Sequence, residues 1–180
     1  MNKERLINNI IDQMKEAQIK LGYDKETIRL YYPTESLNAI LEIKCANAKE
    51  MLSLLSKSFK EEGILGHLEF AIRGGRIEIC VPPQGSEYVH KNVKEPAFLV
   101  DMINLFRNNH HCTLEEIRQV FKKYSEEYIC ESTPEDMEFD YTMYFKDQNI
   151  DEYYYCIKME MGHTIYHRFT KEDYKLLVEA

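Results

Sequence analysis

The segment Leu68-Glu-Phe-Ala-Ile-Arg-Gly-Gly-Arg-Ile-Glu-Ile-Cys-Val81 constrains the fold more than any other part of the chain. Two adjacent glycines supply the positive φ angles that a two-residue hairpin turn requires. Folding about Gly74-Gly75 sets Ile72 opposite Ile77, Phe70 opposite Ile79 and Leu68 opposite Val81. All three pairs share a face, so turn chemistry and hydrophobic pattern specify one register. A lone hairpin is marginal in water, so this one must pack on helices or on further strands. The Arg73-Gly-Gly-Arg76 tip also imitates an arginine–glycine RNA element. Glycines demanded by the turn, with arginines flanking a solvated tip, account for it without RNA.

A second β region lies near the C-terminus, in Phe139–Phe145, Tyr153–Met159 and His163–Phe169. Glu160-Met161-Gly162 suits a three-residue hairpin loop with Gly in the left-handed position. That loop sets Ile157 opposite Ile165, Tyr155 opposite His167 and Tyr153 opposite Phe169. Pairing through residues 146–152 sets Phe145, Met143, Tyr141 and Phe139 opposite Tyr153, Tyr155, Ile157 and Met159. The expectation is a three-stranded meander with its apolar residues on one face.

Helical periods fill most of the remainder. They predict helices over about Lys3–Lys20, over a short Asp24-capped stretch carrying Ile28 and Tyr31, around Leu37–Leu41, and after an Asn47/Glu50 cap pair. Others follow over 86–94, after Pro96, after a Thr113/Glu116 capping box, and after Thr170. Pro82-Pro83-Gln84-Gly85 is expected to end the strand before it. The fold class is α+β, with about six helices on antiparallel strands, as one compact domain over 1–180 with a subdivision point near residue 95.

Asp151-Glu-Tyr-Tyr-Tyr-Cys-Ile-Lys158, Gly162-His-Thr-Ile-Tyr-His-Arg-Phe169 and Val81-Pro-Pro-Gln-Gly-Ser-Glu-Tyr-Val89 carry a family likeness. Through them most of the chain resembles a small family from clostridial gut bacteria, a domain of unknown function. The resemblance implies a bacterial, cytoplasmic origin, and it implies no activity or site residues.

Charge narrows the range of partners. The net charge is −8. Residues 1–95 hold 14 Lys+Arg against 14 Asp+Glu, whereas residues 96–180 hold 9 against 17. Between Ser125 and Phe145 run Glu126, Glu127, Glu131, Glu135, Asp136, Glu138 and Asp140, with no basic residue. Such a surface repels phosphate backbones and argues against duplex nucleic acid. The helix after Thr113, with Arg118, Lys122 and Lys123, resembles half of a helix-turn-helix but opens on two glutamates. No apolar run is long enough to cross a bilayer, and the N-terminus lacks signal-peptide character. Five widely spaced cysteines without a C-x-x-C pair indicate neither a disulfide framework nor a zinc knuckle. A cytoplasmic address follows.

Three motifs invite a chemical reading, and each has a plainer one. His163 and His167 would meet at one metal on a helix, but on a strand they stand roughly 13 Å apart. His167 is then expected on the apolar face as a hydrogen-bonded core histidine. His110-His111-Cys112 reads as a solvated loop. Asp147-x-Asn149-x-Asp151 mimics half a calcium loop, but Glu152 replaces its glycine and Lys158 its bidentate acid. No metal site and no cofactor are expected.

What remains is the other face of the meander. The registers predict rows Tyr144–Tyr154–Arg168, Thr142–Cys156–Tyr166 and Asp140–Lys158–Thr164. Tyr and Arg dominate binding hot spots. The favoured reading is a non-catalytic binding or regulatory module that contacts a protein or small molecule through Tyr144, Tyr154, Tyr166, Arg168 and Lys158. Cover by helices and plain solvation are the structural alternatives. The functional alternative is a small hydrolase or transferase with an acid–base site at His167 or Asp140.

Overall fold

The computed structural model describes residues 1–134 and 137–179. Glu135 and Asp136 of the acidic tract lie outside the described residues. The chain divides into two compact units, Met1–Glu95 and Pro96–Ala180. The class is α+β, with seven helices and two antiparallel sheets among the described residues.

The first unit begins with α1 (Lys3–Leu21), capped by the Asn2 side chain and ended by Gly22 at φ 73°. There follow β1 (Ile28–Tyr32), α2 (Thr34–Leu41), α3 (Ala48–Ser58), β2 (Glu69–Arg73), β3 (Arg76–Val81) and α4 (Pro83–Asn92). The hairpin forms as expected: Phe70 pairs with Ile79 and Ile72 with Ile77, and Gly74 and Gly75 take φ of 56° and 79°. It belongs to its own three-stranded sheet, ordered β1-β3-β2.

Strand β1 corrects the helix expected after Asp24. Ile28 and Tyr31 fit a helical spacing, but Ile28, Leu30 and Tyr32 fit a period of two equally well. So few residues before Pro33 cannot sustain a helix alone, whereas β3 offers a free edge to pair with. Ile28 lies opposite Val81 and Tyr32 opposite Ile77. The helix expected over 86–94 starts earlier, with Pro83 at its first turn, where a missing N–H costs nothing. Leu6, Ile10 and Met14 of α1 form the core with Leu37, Ile40 and Leu41, Met51 and Leu55, and Ile77, Ile79 and Val81. The buried Asn9 is satisfied by the Tyr32 hydroxyl, which donates to its Oδ1 at 2.8 Å.

The second unit holds α5 (Ala97–Asn108), α6 (Leu114–Tyr124), β4 (Tyr128–Ser132), β5 (Tyr141–Phe145), β6 (Tyr154–Glu160), β7 (His163–Phe169) and α7 (Lys171–Val178). The predicted capping box is present, with Thr113 and Glu116 exchanging bonds at the start of α6. The sheet has four strands in the order β4-β5-β6-β7, one more than the expected meander. Strand β4 escaped notice because it lies in the acidic tract. Its alternate residues Tyr128 and Cys130 nevertheless pair with Phe145 and Met143 and pack on the core. Phe98 of α5 sits at the centre of that core. Its ring meets Phe121, Phe145, Tyr124 and Tyr155 edge-on at centroid distances of 4.8–5.4 Å.

The β6–β7 register differs by one residue from the expected one. Tyr154 faces Phe169, Cys156 faces His167, Ile157 faces Tyr166 and Lys158 faces Ile165. The turn contains two residues rather than three, with Met161 and Gly162 both at positive φ, 48° and 77°. Such a turn matches the natural twist of a hairpin. A one-residue shift moves every β7 side chain to the opposite face.

Candidate functional site

That shift decides which of the sequence-predicted residues come together. The β5–β6 pairing holds as expected, with Tyr141 opposite Ile157 and Met143 opposite Tyr155. Tyr144 and Tyr154 therefore share the face turned away from α5 and α6, as do Asp140 and Lys158. Tyr166 and Arg168 do not join them. Tyr166 lies on the helix side, its ring 4.8 Å from Phe106 and 5.7 Å from Tyr155. The Arg168 guanidinium lies 3.8 Å over the ring of the buried Tyr153. The proposed Tyr144–Tyr154–Arg168 row is in fact Tyr144–Tyr154–Phe169.

The physical reason lies in β7 itself. Thr164, Tyr166 and Arg168 are the less apolar set, yet each can line a core, because Thr can bond inward, the Tyr ring is apolar and so is the Arg stem. Thr164 settles the choice. It is buried, its Oγ1 donates to the Cys112 carbonyl at 2.7 Å, and its N–H donates to the His110 carbonyl at 2.9 Å. The 110–112 loop is thus pinned to β7 rather than merely solvated. His111 stacks on His163 at 5.1 Å.

His167 moves to the outer face and is exposed, not a core histidine. Its ring lies 5.4 Å from Phe139 and 6.3 Å from Phe169. Beneath this cluster Thr142 and Cys156 are fully buried, their Oγ1 and Sγ 3.7 Å apart. Burial pushes the Cys156 thiol up to about 11, and the Thr142 contact opposes the shift. Asp140 accepts the Met159 N–H at 2.6 Å and lies 3.7 Å from the Lys158 ammonium, in a cleft of about 350 Å³. His163 and His167 engage different neighbours. Among the described residues no group of three or more His, Cys, Asp or Glu side chains is placed to hold a metal ion. The calcium-loop mimic caps its own turns, Asp147 accepting from Asn149 and Asp151 from Tyr153 and Tyr155.

A residue missed in the sequence completes the outer face. Tyr174, on the first turns of α7, lies 4.7 Å from Tyr154 at 20°, and Tyr154 lies 4.2 Å from Tyr144 at 24°. Three half-buried rings form a column. The cap at Thr170, which accepts from the Asp173 N–H, fixes the start of α7 and so the place of Tyr174. None of the three hydroxyls has a hydrogen-bond partner among the described residues. Burial raises the pKa of Tyr144, and Glu131, Tyr154 and Tyr174 add to the shift. Burial likewise raises that of Tyr154, with further contributions from Tyr174, Glu131 and Glu172. Glu131 of β4, opposite Thr142, shares this outer face.

A family model described as "Domain of unknown function, E. rectale Gene description" matches residues 3–178, nearly the whole chain. The chain belongs to this family, DUF3877. The likeness to a clostridial family of unknown function is thereby shown. No curated protein and no solved structure matches the chain. Membership of the family assigns no chemistry to the column, so its role must be argued from geometry. No helix among the described residues is long and apolar enough to cross a membrane.

Proposed function

We propose that this chain is a non-catalytic binding module of the bacterial cytoplasm, and that its tyrosine column receives a basic peptide segment of a partner protein. The observation that carries the reading is the Tyr144–Tyr154–Tyr174 stack, half-exposed and flanked by Glu131 and Glu172. Aromatic faces attract Lys and Arg side chains by about 0.5–2 kcal/mol each, and neighbouring carboxylates add long-range attraction. All of the net charge of −8 belongs to residues 96–180, so steering and contact favour the same kind of partner. Five free cysteines are in keeping with a reducing compartment.

The acid–base alternative has less support. Asp140 is engaged by the Met159 N–H and by Lys158, and His167 meets only aromatic rings among the described residues.

The test is fluorescence anisotropy with a labelled Arg/Lys-rich peptide and a labelled Glu-rich control. The basic peptide is expected to bind and the acidic one not. Tyr174→Leu, which leaves charge unchanged and removes an end ring of the stack, should weaken binding roughly tenfold, the loss of one to two cation–π contacts. Equal loss on neutralising Glu115 of α6, on the other side of the sheet, with no loss in Tyr174→Leu, would reduce the binding to unspecific charge attraction.

A further inference from the structure

The face of the first sheet opposite its hydrophobic core carries a second arrangement. Alternation along the three strands puts Arg29 and Tyr31 of β1, Glu78 and Cys80 of β3, and Glu69, Ala71 and Arg73 of β2 on this side. They line a concavity of about 520 Å³. It exists because Ala71, directly opposite Glu78, projects only a methyl group where longer side chains stand on every side. Glu78 is 9% exposed, on a face that the helices of its unit leave open. A carboxylate withdrawn that far from water needs compensation. Within the protein it has two partners, both on exposed residues: the Arg73 Nε lies 3.8 Å away, beyond hydrogen-bond length, and the Tyr31 hydroxyl, 48% exposed as a residue, is the other. On the far side of the concavity Arg29 is exposed and makes no ion pair among the described residues.

We infer that this concavity is a binding site for a small amino-acid-type zwitterion, its ammonium group received by Glu78 and its carboxylate by Arg29. A simple anion would meet the Glu78 and Glu69 charges, and a simple amine would meet two guanidinium groups. Only a molecule carrying both signs answers both walls. Arg29 lies opposite Cys80, one diagonal step from Glu78, and such neighbours stand about 7–8 Å apart, within the span of one amino acid. The Ala71 floor leaves room for a side chain, and Tyr31 offers it a ring.

The experiment is a binding screen of the full chain by isotope-edited NMR against the twenty standard L-amino acids and γ-aminobutyrate. Succinate and butylamine serve as controls that carry only one sign of charge. At least one zwitterion is expected to shift the backbone amides of Arg29, Ala71 and Glu78 in a saturable manner, with neither control doing so. Glu78→Gln and Arg29→Ala should each weaken that binding about tenfold or more, as removal of a charged hydrogen-bond partner does. Glu78→Gln preserves shape, and Arg29 is exposed, so both variants are expected to fold, which their amide spectra report. Succinate binding that strengthens in Glu78→Gln would identify an anion site and overturn the assignment. Absence of saturable shifts with every zwitterion would overturn it equally.

Discussion

Arg168→Ala tests the register on which the reading of the second unit depends. In the observed pairing the Arg168 guanidinium lies 3.8 Å over Tyr153, a residue only 7% exposed. A cation over a ring is worth about 0.5–1 kcal/mol when solvated and about 2 when desolvated. Arg168 is half-buried, so about 1–1.5 kcal/mol applies. Its aliphatic stem covers further apolar surface, at about 25 cal/mol per Å², and a few tens of Å² bring the total near 2 kcal/mol. Urea denaturation of wild type, Arg168→Ala and Arg168→Met separates the two contributions, because Met keeps the stem and loses the charge. The expected order of stability is wild type, then Met, then Ala, with unchanged m-values. Basic-peptide affinity per folded molecule should not change. If Arg168→Ala retained stability within about 0.5 kcal/mol and lost peptide binding, Arg168 would belong to the outer face, and the register argument would be wrong.

Two further expectations concern pH and nucleic acid. Tyr124, held neutral by burial and by its bond to Asp101, titrates at about 12, and Cys156 at about 11, both above their ordinary values of 10.0 and 9.0. A raised pKa contributes stability that is complete below the unfolded value and is lost as pH rises through the folded one. The urea midpoint should therefore hold to about pH 9 and fall between about 9 and 12, less steeply in Cys156→Ala; a midpoint flat across that window would refute the assignment. The chain should not be retained on duplex DNA at physiological salt, since Lys123 is held by Asp101 at 2.5 Å and Lys122 lies 3.7 Å from Glu115. Salt-sensitive retention, weakened by Lys122→Ala or Lys123→Ala, would contradict this.

How much could be read in advance varied with how many independent signals met at one place. At residues 68–81 a turn that only glycines favour and a strict alternation agreed, and the register followed. The Thr113 and Thr170 caps were legible because capping needs particular residues at fixed offsets. Strand β1 was not, since five residues before a proline satisfy two periods at once. Strand β4 was hidden because only alternate residues of a strand need be apolar, and the rest of that stretch is acidic. The outer face of the second sheet was half legible. Tyr144 and Tyr154 followed from the β5–β6 pairing, but β7 turns its more apolar set, Ile165, His167 and Phe169, outward, so the hydrophobic pattern pointed to the wrong face. Thr164 chose, through bonds to a loop some fifty residues earlier in the chain. Tyr174 lies on a helix whose placement over the sheet no local pattern reveals.

The Met161-Gly162 turn carries a consequence for how this chain can diverge. Because it joins strands whose side chains alternate with a period of two, adding or deleting one residue there would turn β7 inside out. His167 and Phe169 would then be driven under the helices, and Arg168 would be set beside Tyr154. Substitutions at Met161 itself meet no such barrier, for its side chain is 93% exposed, provided the new residue accepts a positive φ. Drift at this tip is therefore free in spelling but not in parity, and length changes that leave the tyrosine column intact should come in steps of two.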